Sequence, residues 1–267
     1  MEATVNGVRM HWREVGHGQA VLFVHGFPFH SGMWEEQLAR LPRRWRLIAP
    51  DLRGFGKTEL GGKAGPLGMD LLADDLARLL DSLAIDRAVV VGLSMGGYIA
   101  FQLWAWHPQR VRALVLCNTR AGPDTEAGRR GRQELAERVR EQGTKAVVET
   151  LLPKLTSERT QRERPEVVER VREMMESTPP ETIAAASLGM AERPDSTELL
   201  PTIEVPTLVV AGGEDAVASL AEAELMAKEI PDARLVVIEG TGHLTPMEDP
   251  VAFNRALVHF LEAIEGH

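Results

Sequence analysis

The sequence predicts an α/β protein with a doubly wound, mostly parallel sheet and an inserted helical cap. Short apolar runs that end in turn residues recur along the chain, at 20–26, 46–51, 88–94, 112–118, 207–215 and 234–243. These runs lack polar alternation, as expected of parallel strands buried on both faces. Segments with helical periodicity lie between several of the runs. Strands that alternate with helices are typical of a doubly wound sheet.

The first predicted helices each show one apolar face. Residues 31–41 (SGMWEEQLARL) place Trp34, Leu38 and Leu41 on the same side, with Ser31 as the expected N-cap. Residues 69–85 (MDLLADDLARLLDSLAI) repeat leucine at similar spacing. Both patterns predict helices that pack against a sheet.

The alternation of strand and helix stops between Asn118 and Pro206, where arginine, glutamate and alanine dominate and no strand-like run occurs. We therefore predict that residues 1–118 and 207–267 form the α/β core. The intervening residues 119–206 are predicted to form a helical cap inserted between two strands.

Glycine and proline divide the predicted cap into helices. Gly143 is expected to end a helix, Pro153 to interrupt the next one, and Pro165 to begin another.

Composition limits the function classes. The 267 residues are 44% hydrophobic and carry a formal net charge of -9, which argues against nucleic acid or an anionic membrane as partner, since both attract basic surfaces. No signal-like start occurs, and no apolar run approaches the roughly 20 residues of a membrane span. Cys117 is a single cysteine in an apolar run and is expected to be buried. We therefore expect a cytoplasmic protein without membrane contact.

Residues 92–96 (GLSMG) match the pattern G-x-S-x-G and follow a run of β-branched residues. An apolar, helix-like stretch comes directly after them. A turn between strand and helix is the place where a nucleophilic serine is held strained and exposed. The motif therefore predicts Ser94 as a nucleophile.

A serine hydroxyl needs a base to remove its proton and an acid to orient that base. His243 ends a late strand-like run in a loop of small residues, which favours it as the base. Glu214 and Asp215 end the preceding run. We favour Asp215 as the acid and keep Glu214 as an alternative, and the order serine, acid, histidine is the one expected.

Backbone N–H groups must also stabilise the negative charge that develops on the carbonyl oxygen. Met95, directly after the serine, is expected to supply one of them. The second is expected from Phe27, in the loop after an early strand, because the following Pro28 has no N–H. His25 is expected to brace this loop through its ring nitrogens.

The motifs HGFP, PDLRGFGKT, GLSMGG, GGED and GTGH occur in this order and together resemble the α/β-hydrolase superfamily over nearly the whole chain. GLSMGGYIAF and NTRAGPDTEAGRRGRQ look like the small bacterial carboxylesterases and the 3-oxoadipate enol-lactonases. The resemblance implies the α/β-hydrolase fold, Ser94 as nucleophile with Asp215 and His243 as its partners, and Phe27 and Met95 as oxyanion donors. A serine at this position disfavours the dehalogenase and epoxide hydrolase branches, which use an aspartate there.

Four further residues are candidates for substrate binding. Trp34 is expected to line an acyl pocket or to belong to the core, and Met174 and Met190 to roof the site or to pack against the core domain. Arg120 is expected either to bind an anionic substrate or to form a salt bridge within the cap. No metal-binding or nucleotide-binding pattern occurs, so neither a metal nor another cofactor is expected.

These observations predict a carboxylic ester hydrolase that acts on small, short-acyl substrates through an acyl-enzyme. One alternative is a lactone hydrolase similar to the 3-oxoadipate enol-lactonases, whose substrate carries a carboxylate. An alternative of another class is a non-catalytic receptor for small molecules. The expected partner is a small ester or lactone, and the expected assembly is a monomer or a homodimer.

Overall fold

The computed structural model describes residues 1–62 and 65–265. The predicted core segments also include residues 63, 64, 266 and 267, which lie outside the described residues. Within the described part of the chain, eight strands form one sheet. They are β1 (Glu2–Val5), β2 (Val8–Val15), β3 (Gln19–Val24), β4 (Trp45–Pro50), β5 (Ala88–Leu93), β6 (Val111–Cys117), β7 (Thr207–Gly212) and β8 (Ala233–Ile238).

The strands lie in the order β1-β2-β4-β3-β5-β6-β7-β8. β1 pairs with β2 and β2 with β4 in antiparallel fashion, and all other neighbours are parallel. The prediction of a mostly parallel sheet is therefore confirmed. The chain passes from β3 to β4 on one side of β3 in the sheet, and later strands from β5 onwards are added on the opposite side of β3. This reversal leaves a crevice at the carboxyl ends of β3 and β5.

The α-helices of the described residues are α1 (Glu35–Arg40), α2 (Met69–Ser82), α3 (Met95–Trp106), α4 (Glu126–Gln142), α5 (Lys145–Leu155), α6 (Glu158–Glu163), α7 (Pro165–Ser177), α8 (Pro180–Ala191), α9 (Leu220–Glu229), α10 (Thr245–Glu248) and α11 (Pro250–Ile264). Because parallel crossovers are right-handed, the change of direction at β3 puts α1 and α3 on opposite faces of the sheet. Accordingly, α2 packs against α3 and α1 against α11. The sheet is thus doubly wound, as predicted.

Apolar side chains fill the space between the sheet and its helices. Every residue of β5 is buried, which its β-branched run explains. The Trp34 ring is fully buried, with ring centroids 5.1 Å from Phe23 of β3 and 6.2 Å from Phe253 of α11.

The antiparallel strands β1 and β2 were not among the predicted runs. The two strands form a hairpin whose turn is at Asn6 and Gly7, which both have positive φ. Asn-Gly at a two-residue turn is a strong hairpin signal. The pattern was missed because β2 alternates buried and more exposed residues and is not a continuous apolar run.

Five helices, α4 to α8, lie between β6 and β7. The expected end of α4 at Gly143, where φ is 74°, and the expected start of α7 at Pro165 are confirmed. The expected interruption at Pro153 is wrong, because α5 continues through it to Leu155. Pro153 has no N–H to donate to the carbonyl of Glu149, so α5 lacks one hydrogen bond there but does not end.

The prediction that Ser31 is the N-cap residue of the first helix is also wrong. A 3-10 turn spans Ser31–Trp34, and Nδ1 of His30 accepts the hydrogen bond from the N–H of Gly32. The N–H of Ser31 instead donates to Oδ1 of Asp51 at 2.8 Å.

None of the helices in residues 1–62 and 65–265 combines the length and the apolar character that a membrane crossing requires.

Candidate active site

Ser94 occupies a strained turn between β5 and α3. Its φ of 54° and ψ of -112° lie in a region that residues with a side chain rarely adopt. Its N–H donates to the carbonyl of Cys117 at 2.9 Å. Its own carbonyl accepts from the N–H of Gly97 at 2.9 Å and from Oγ1 of Thr119 at 2.8 Å. These bonds hold the strained conformation in place.

The glycines around Ser94 allow close backbone contacts. A Cβ atom at Gly92 would lie 2.4 Å from the carbonyl oxygen of Gly96, and one at Gly96 would lie 2.3 Å from that of Val24. Any side chain at these positions would therefore push α3 away from the strands. The G-x-S-x-G spacing is needed to bring the start of α3 against the end of β3.

His243 and Asp215 form a buried pair. Nδ1 of His243 lies 2.9 Å from Oδ2 and 3.0 Å from Oδ1 of Asp215, and their side chains are only 3% and 1% exposed. Because a carboxylate only accepts, the Nδ1 atom is the donor and Nε2 is left able to accept a proton. The pair thus has the arrangement of a base and its orienting acid.

Several groups hold Asp215 in its charged form. Oδ1 accepts from the N–H groups of Val217 and Ala218, at 2.8 and 3.0 Å, and Oδ2 accepts from Nδ2 of Asn118 at 3.0 Å. Burial by itself would raise the pKa of Asp215. Electrostatic attraction to His243 and its hydrogen bond, together with the bonds from Ala218 and Asn118, outweigh burial and lower the pKa below its ordinary value.

The alternative acid, Glu214, is exposed to solvent. Its N–H donates to the carbonyl of Thr241 at 2.9 Å. Among the described residues, the carboxylate that forms a hydrogen bond with Nδ1 of His243 is that of Asp215 and not that of Glu214.

Ser94 and His243 line a common cavity of about 330 Å³. Its other lining residues are Phe27, Tyr98, Arg120, Asp124, Gly128, Gly131, Arg132, Leu135, Thr150, Leu151, Lys154, Leu155, Met190, Ala216 and Val217. The cavity therefore lies between the carboxyl edge of the sheet and the helices α4, α5 and α8.

The two predicted oxyanion donors differ in their position relative to the cavity. Phe27 lines it, whereas Met95, which begins α3 directly after Ser94, is buried and is not among the lining residues. Within the described part of the chain, neither backbone N–H has a hydrogen-bond acceptor. Unpaired N–H groups beside a cavity are costly unless water or a ligand binds them.

His25 braces the loop that contains Phe27. Its Nε2 accepts from the N–H of Leu52 at 3.0 Å, so its Nδ1 donates to the carbonyl of Gly26 at 2.9 Å. The ring is completely buried, and its centroid lies 5.0 Å from that of Phe55. Burial lowers the pKa of His25 to about 4, which keeps the imidazole neutral. The predicted bracing contacts are present.

One side of the cavity is cationic. Asp124, itself buried, pairs with Arg120, Arg132 and Arg193. Burial would raise the pKa of Asp124, but the hydrogen bonds and charges of Arg193 and Arg132 hold it well below its usual range. Arg120, Arg132 and Lys154 line the cavity with this single carboxylate, so cations outnumber anions on its wall.

The predicted substrate-binding residues divide into two groups. Met190 and Arg120 line the cavity, and Arg120 also pairs with Asp124, so that both readings of this arginine fit its position. Trp34 lies in the core between the sheet and α11, away from the cavity, because its ring packs against other aromatic residues. Met174 is buried on α7 and is not among the residues that line the cavity.

Among the polar residues of the site that sequence reasoning missed are Asn118, Arg132 and Lys154. Asn118, at the end of β6, has a φ of 47° and contacts Asp215. A polar residue at the carboxyl end of the strand beside β5 is a usable signal for it. Arg132 and Lys154 belong to helices rich in charged residues, and nothing in their spacing distinguishes them from their exposed neighbours.

Comparison with known proteins agrees with the α/β fold described above. The sequence profile of a family described as the alpha/beta hydrolase fold matches residues 19–250. The chain is 28% identical over 246 residues to 3-oxoadipate enol-lactonase 1 of Acinetobacter baylyi, which covers 92% of this chain and 90% of that protein.

Two solved structures are also similar. The malate-bound structure of a thermophilic esterase from Thermogutta terrifontis superposes with a TM-score of 0.95 at 43% identity, over 99% of this chain and 98% of that one. The enol-lactonase from Burkholderia xenovorans LB400 superposes with a TM-score of 0.91 at 30% identity, over 98% of this chain and 100% of that one.

Proposed function

The chain belongs to the alpha/beta hydrolase family and is a hydrolase, and from this premise we propose that it is a serine esterase for small, short-acyl carboxylic esters. One observation carries the proposal. Ser94, in its strained turn, and His243, paired with Asp215, line the same cavity. Similarity to the Thermogutta terrifontis esterase supports the same activity.

In the first step, Oγ of Ser94 attacks the carbonyl carbon of the ester and gives its proton to Nε2 of His243. Asp215 keeps the Nδ1 proton of His243 in place and stabilises the imidazolium ion that forms. The bond between the carbonyl carbon and the alcohol oxygen then breaks. The leaving alcohol takes the proton from Nε2, and the acyl group remains on Ser94 as an ester.

In the second step, a water molecule gives a proton to Nε2 of His243 and attacks the acyl carbonyl carbon. The bond to Oγ of Ser94 breaks, and Oγ receives that proton from Nε2. The products are the free acid and the original enzyme, so the base and the nucleophile are both regenerated.

Both steps place negative charge on the former carbonyl oxygen. We assign its stabilisation to the N–H groups of Phe27 and Met95, which have no acceptor among the described residues. Loss of one such donor costs about 100- to 1000-fold in turnover in comparable enzymes. The bracing of the Phe27 loop by His25 keeps that donor in position before substrate binds.

The cavity favours small substrates. Its volume of about 330 Å³ lies near the lower end of the range for small-molecule sites. Leu135, Met190 and Val217 supply apolar surface for a short acyl or alcohol group. We further propose that residues 119–206 act as the cap of this site, since α4, α5 and α8 provide part of its wall.

A second candidate function is hydrolysis of an anionic lactone. The cationic wall of Arg120, Arg132 and Lys154 favours a substrate that carries a carboxylate. The same two steps apply, except that the leaving alkoxide stays tethered to the acyl group. Similarity to the enol-lactonases supports this candidate.

Initial rates on p-nitrophenyl esters of increasing acyl length, beside an anionic enol-lactone, test these assignments. Wild type should cleave the shortest neutral esters fastest. Ser94→Ala should abolish turnover, whereas Ser177→Ala, a control at an exposed serine on α7, should not change it. A higher kcat/KM for the lactone would favour the second candidate. Retained turnover in Ser94→Ala would contradict the mechanism, and binding without turnover in wild type would favour a receptor.

A further inference from the structure

The loop that holds His243 is fixed by three consecutive backbone amides. The N–H groups of Gly242 and Leu244 both donate to Oε1 of Glu248, at 2.9 and 3.1 Å. The N–H of His243 between them donates to the carbonyl of Leu155, at the end of α5, at 3.1 Å. One carboxylate oxygen therefore fixes the backbone on both sides of His243.

The second oxygen of Glu248 binds a different part of the chain. Oε2 accepts from the N–H of Ser157 and from Oγ1 of Thr160, both at 2.8 Å. These two residues belong to the turn between α5 and α6 and to the first turn of α6. Oγ of Ser157 also donates to the carbonyl of Gly240, at 3.0 Å. Glu248, which is buried and only 5% exposed, thus joins the His243 loop to the helical segment 119–206, which we call the insertion.

Four neutral donors satisfy the two oxygens of Glu248. Within residues 1–62 and 65–265, the Glu248 carboxylate forms no ion pair. A carboxylate offers two oxygens that only accept, which matches two donors on each side. A neutral amide offers one such oxygen, and its NH₂ group would face N–H donors on the other side. The four bonds therefore need the carboxylate itself.

The contact between loop and insertion is also close. A Cβ atom at Gly242 would lie 2.7 Å from the backbone nitrogen of Ser157 and 3.2 Å from Oε1 of Glu248. A shift of the α5–α6 turn would consequently move the Gly242–Leu244 backbone, because no free space separates them.

We propose that Glu248 is a positioning residue for His243, which couples the imidazole to the α5–α6 turn of the insertion. Glu248 does not line the cavity and acts through the loop backbone. The proposal rests on the proposed role of His243 as the base. It implies that the reactive geometry depends on the insertion being docked, and not on the pair of His243 and Asp215 alone.

Glu248→Gln tests this role. It should lower kcat on a short p-nitrophenyl ester by about 10- to 100-fold, since small displacements of a reacting group have effects of this size. KM should change by less than about threefold, because Glu248 does not contact substrate. Glu239→Gln makes the same chemical change at an exposed residue after β8 and should leave kcat unchanged.

Thr160→Val provides a second test without a change of charge. It removes one of the two bonds from the insertion and keeps the volume of the side chain. It should also lower kcat, but by a smaller factor than Glu248→Gln does. If Glu248→Gln does not fold, this variant decides the question alone.

The ¹⁵N chemical shift of Nδ1 of His243 at neutral pH, assigned with His243→Gln, is the readout that a purely structural role would not change. We expect this shift to change in Glu248→Gln and in Thr160→Val, and to stay the same in Glu239→Gln. Lower thermal stability with unchanged kcat and unchanged shift would overturn the proposal. The shift is measured on the resting protein, so it is independent of the esterase assignment, which Ser94→Ala tests.

Discussion

Nδ1 of His243 lies 2.9 Å from Oδ2 of Asp215, and both side chains are almost fully buried. Asp215→Asn removes the charge that orients the ring and stabilises its protonated form. We expect kcat to fall by about 10 000-fold, as in a Ser-His-Asp triad whose acid is changed to its amide. Glu214→Gln, the same change at the exposed neighbouring acid, should have little effect. Similar losses in both variants would mean that Asp215 has no special role.

The cationic wall should select for anionic substrates. Lys154 lines the cavity and is exposed, so Lys154→Met should raise KM for an anionic lactone about tenfold and leave KM for a neutral ester unchanged. Lys145→Met, on the same helix but paired with Glu149, is the control. Equal changes for the anionic and the neutral substrate would contradict electrostatic selection.

Arg120→Ala should raise KM for the lactone as well. Since Arg120 also pairs with the buried Asp124, this variant should lose stability in addition, which thermal unfolding would detect. An unchanged KM for the lactone would mean that Arg120 does not bind the substrate and has only a structural role.

Asp124 should contribute strongly to stability. Removing one partner of a buried ion pair costs about 3–5 kcal/mol in the free energy of unfolding, and Asp124 and Arg193 are 2% and 3% exposed. We expect a loss of this size for Asp124→Asn in urea unfolding at pH 7. Glu126→Gln, in an exposed pair with Arg130, should change stability little.

The effect of Asp124 should depend on pH in a defined direction. Because its pKa is lowered in the folded protein, the stability it contributes is complete above the unfolded pKa of about 4 and is lost as the pH falls further. The difference between wild type and Asp124→Asn should therefore shrink below about pH 4. A difference that is constant with pH would contradict an ionised Asp124.

His25 should destabilise the folded protein in acid. Its pKa is about 4 when folded and about 6.5 when unfolded, so the unfolded chain binds one more proton between these values. Stability should then rise by about 3 kcal/mol from pH 4 to pH 6.5 through this group. Urea unfolding across this range should show a steeper increase in wild type than in His25→Gln. Equal slopes would contradict a buried neutral imidazole.

The strain at Ser94 should be measurable. Ser94→Gly allows a positive φ without a side-chain clash, whereas Ser94→Ala keeps the strain, so the glycine variant should be more stable by about 1 kcal/mol. At Ser196, where φ is -102°, the alanine variant should be more stable than the glycine variant. A less stable glycine variant at position 94 would mean that the turn stores no strain.

Much of the fold was readable from short segments. The valines before Gly92 predict a buried strand, and β5 ends at Leu93 as expected, directly before Ser94. The ends of α4 at Gly143 and the start of α7 at Pro165 were also predicted. Each of these features depends on local backbone preferences and apolar periodicity, which act over a few residues.

At Ser31 and Trp34 a distant contact decided what local preference could not. Ser31 is a good N-cap residue, but its N–H is bound by Asp51, and His30 takes the capping role. For Trp34 the sequence left two positions open, and the contact of its ring with Phe253 of α11, more than 200 residues later, decides for the core.

The sequence by itself determined the fold class, the turn at Ser94 and the short set of candidates for its partners, because strands, turns and motifs are local. Only the tertiary structure decided that His243 contacts Asp215 and that Glu248 joins the His243 loop to the insertion. These contacts depend on strand order and on the paths of long connections. Hydrogen bonds between residues far apart in sequence are formed by that geometry and leave no periodic pattern in the chain.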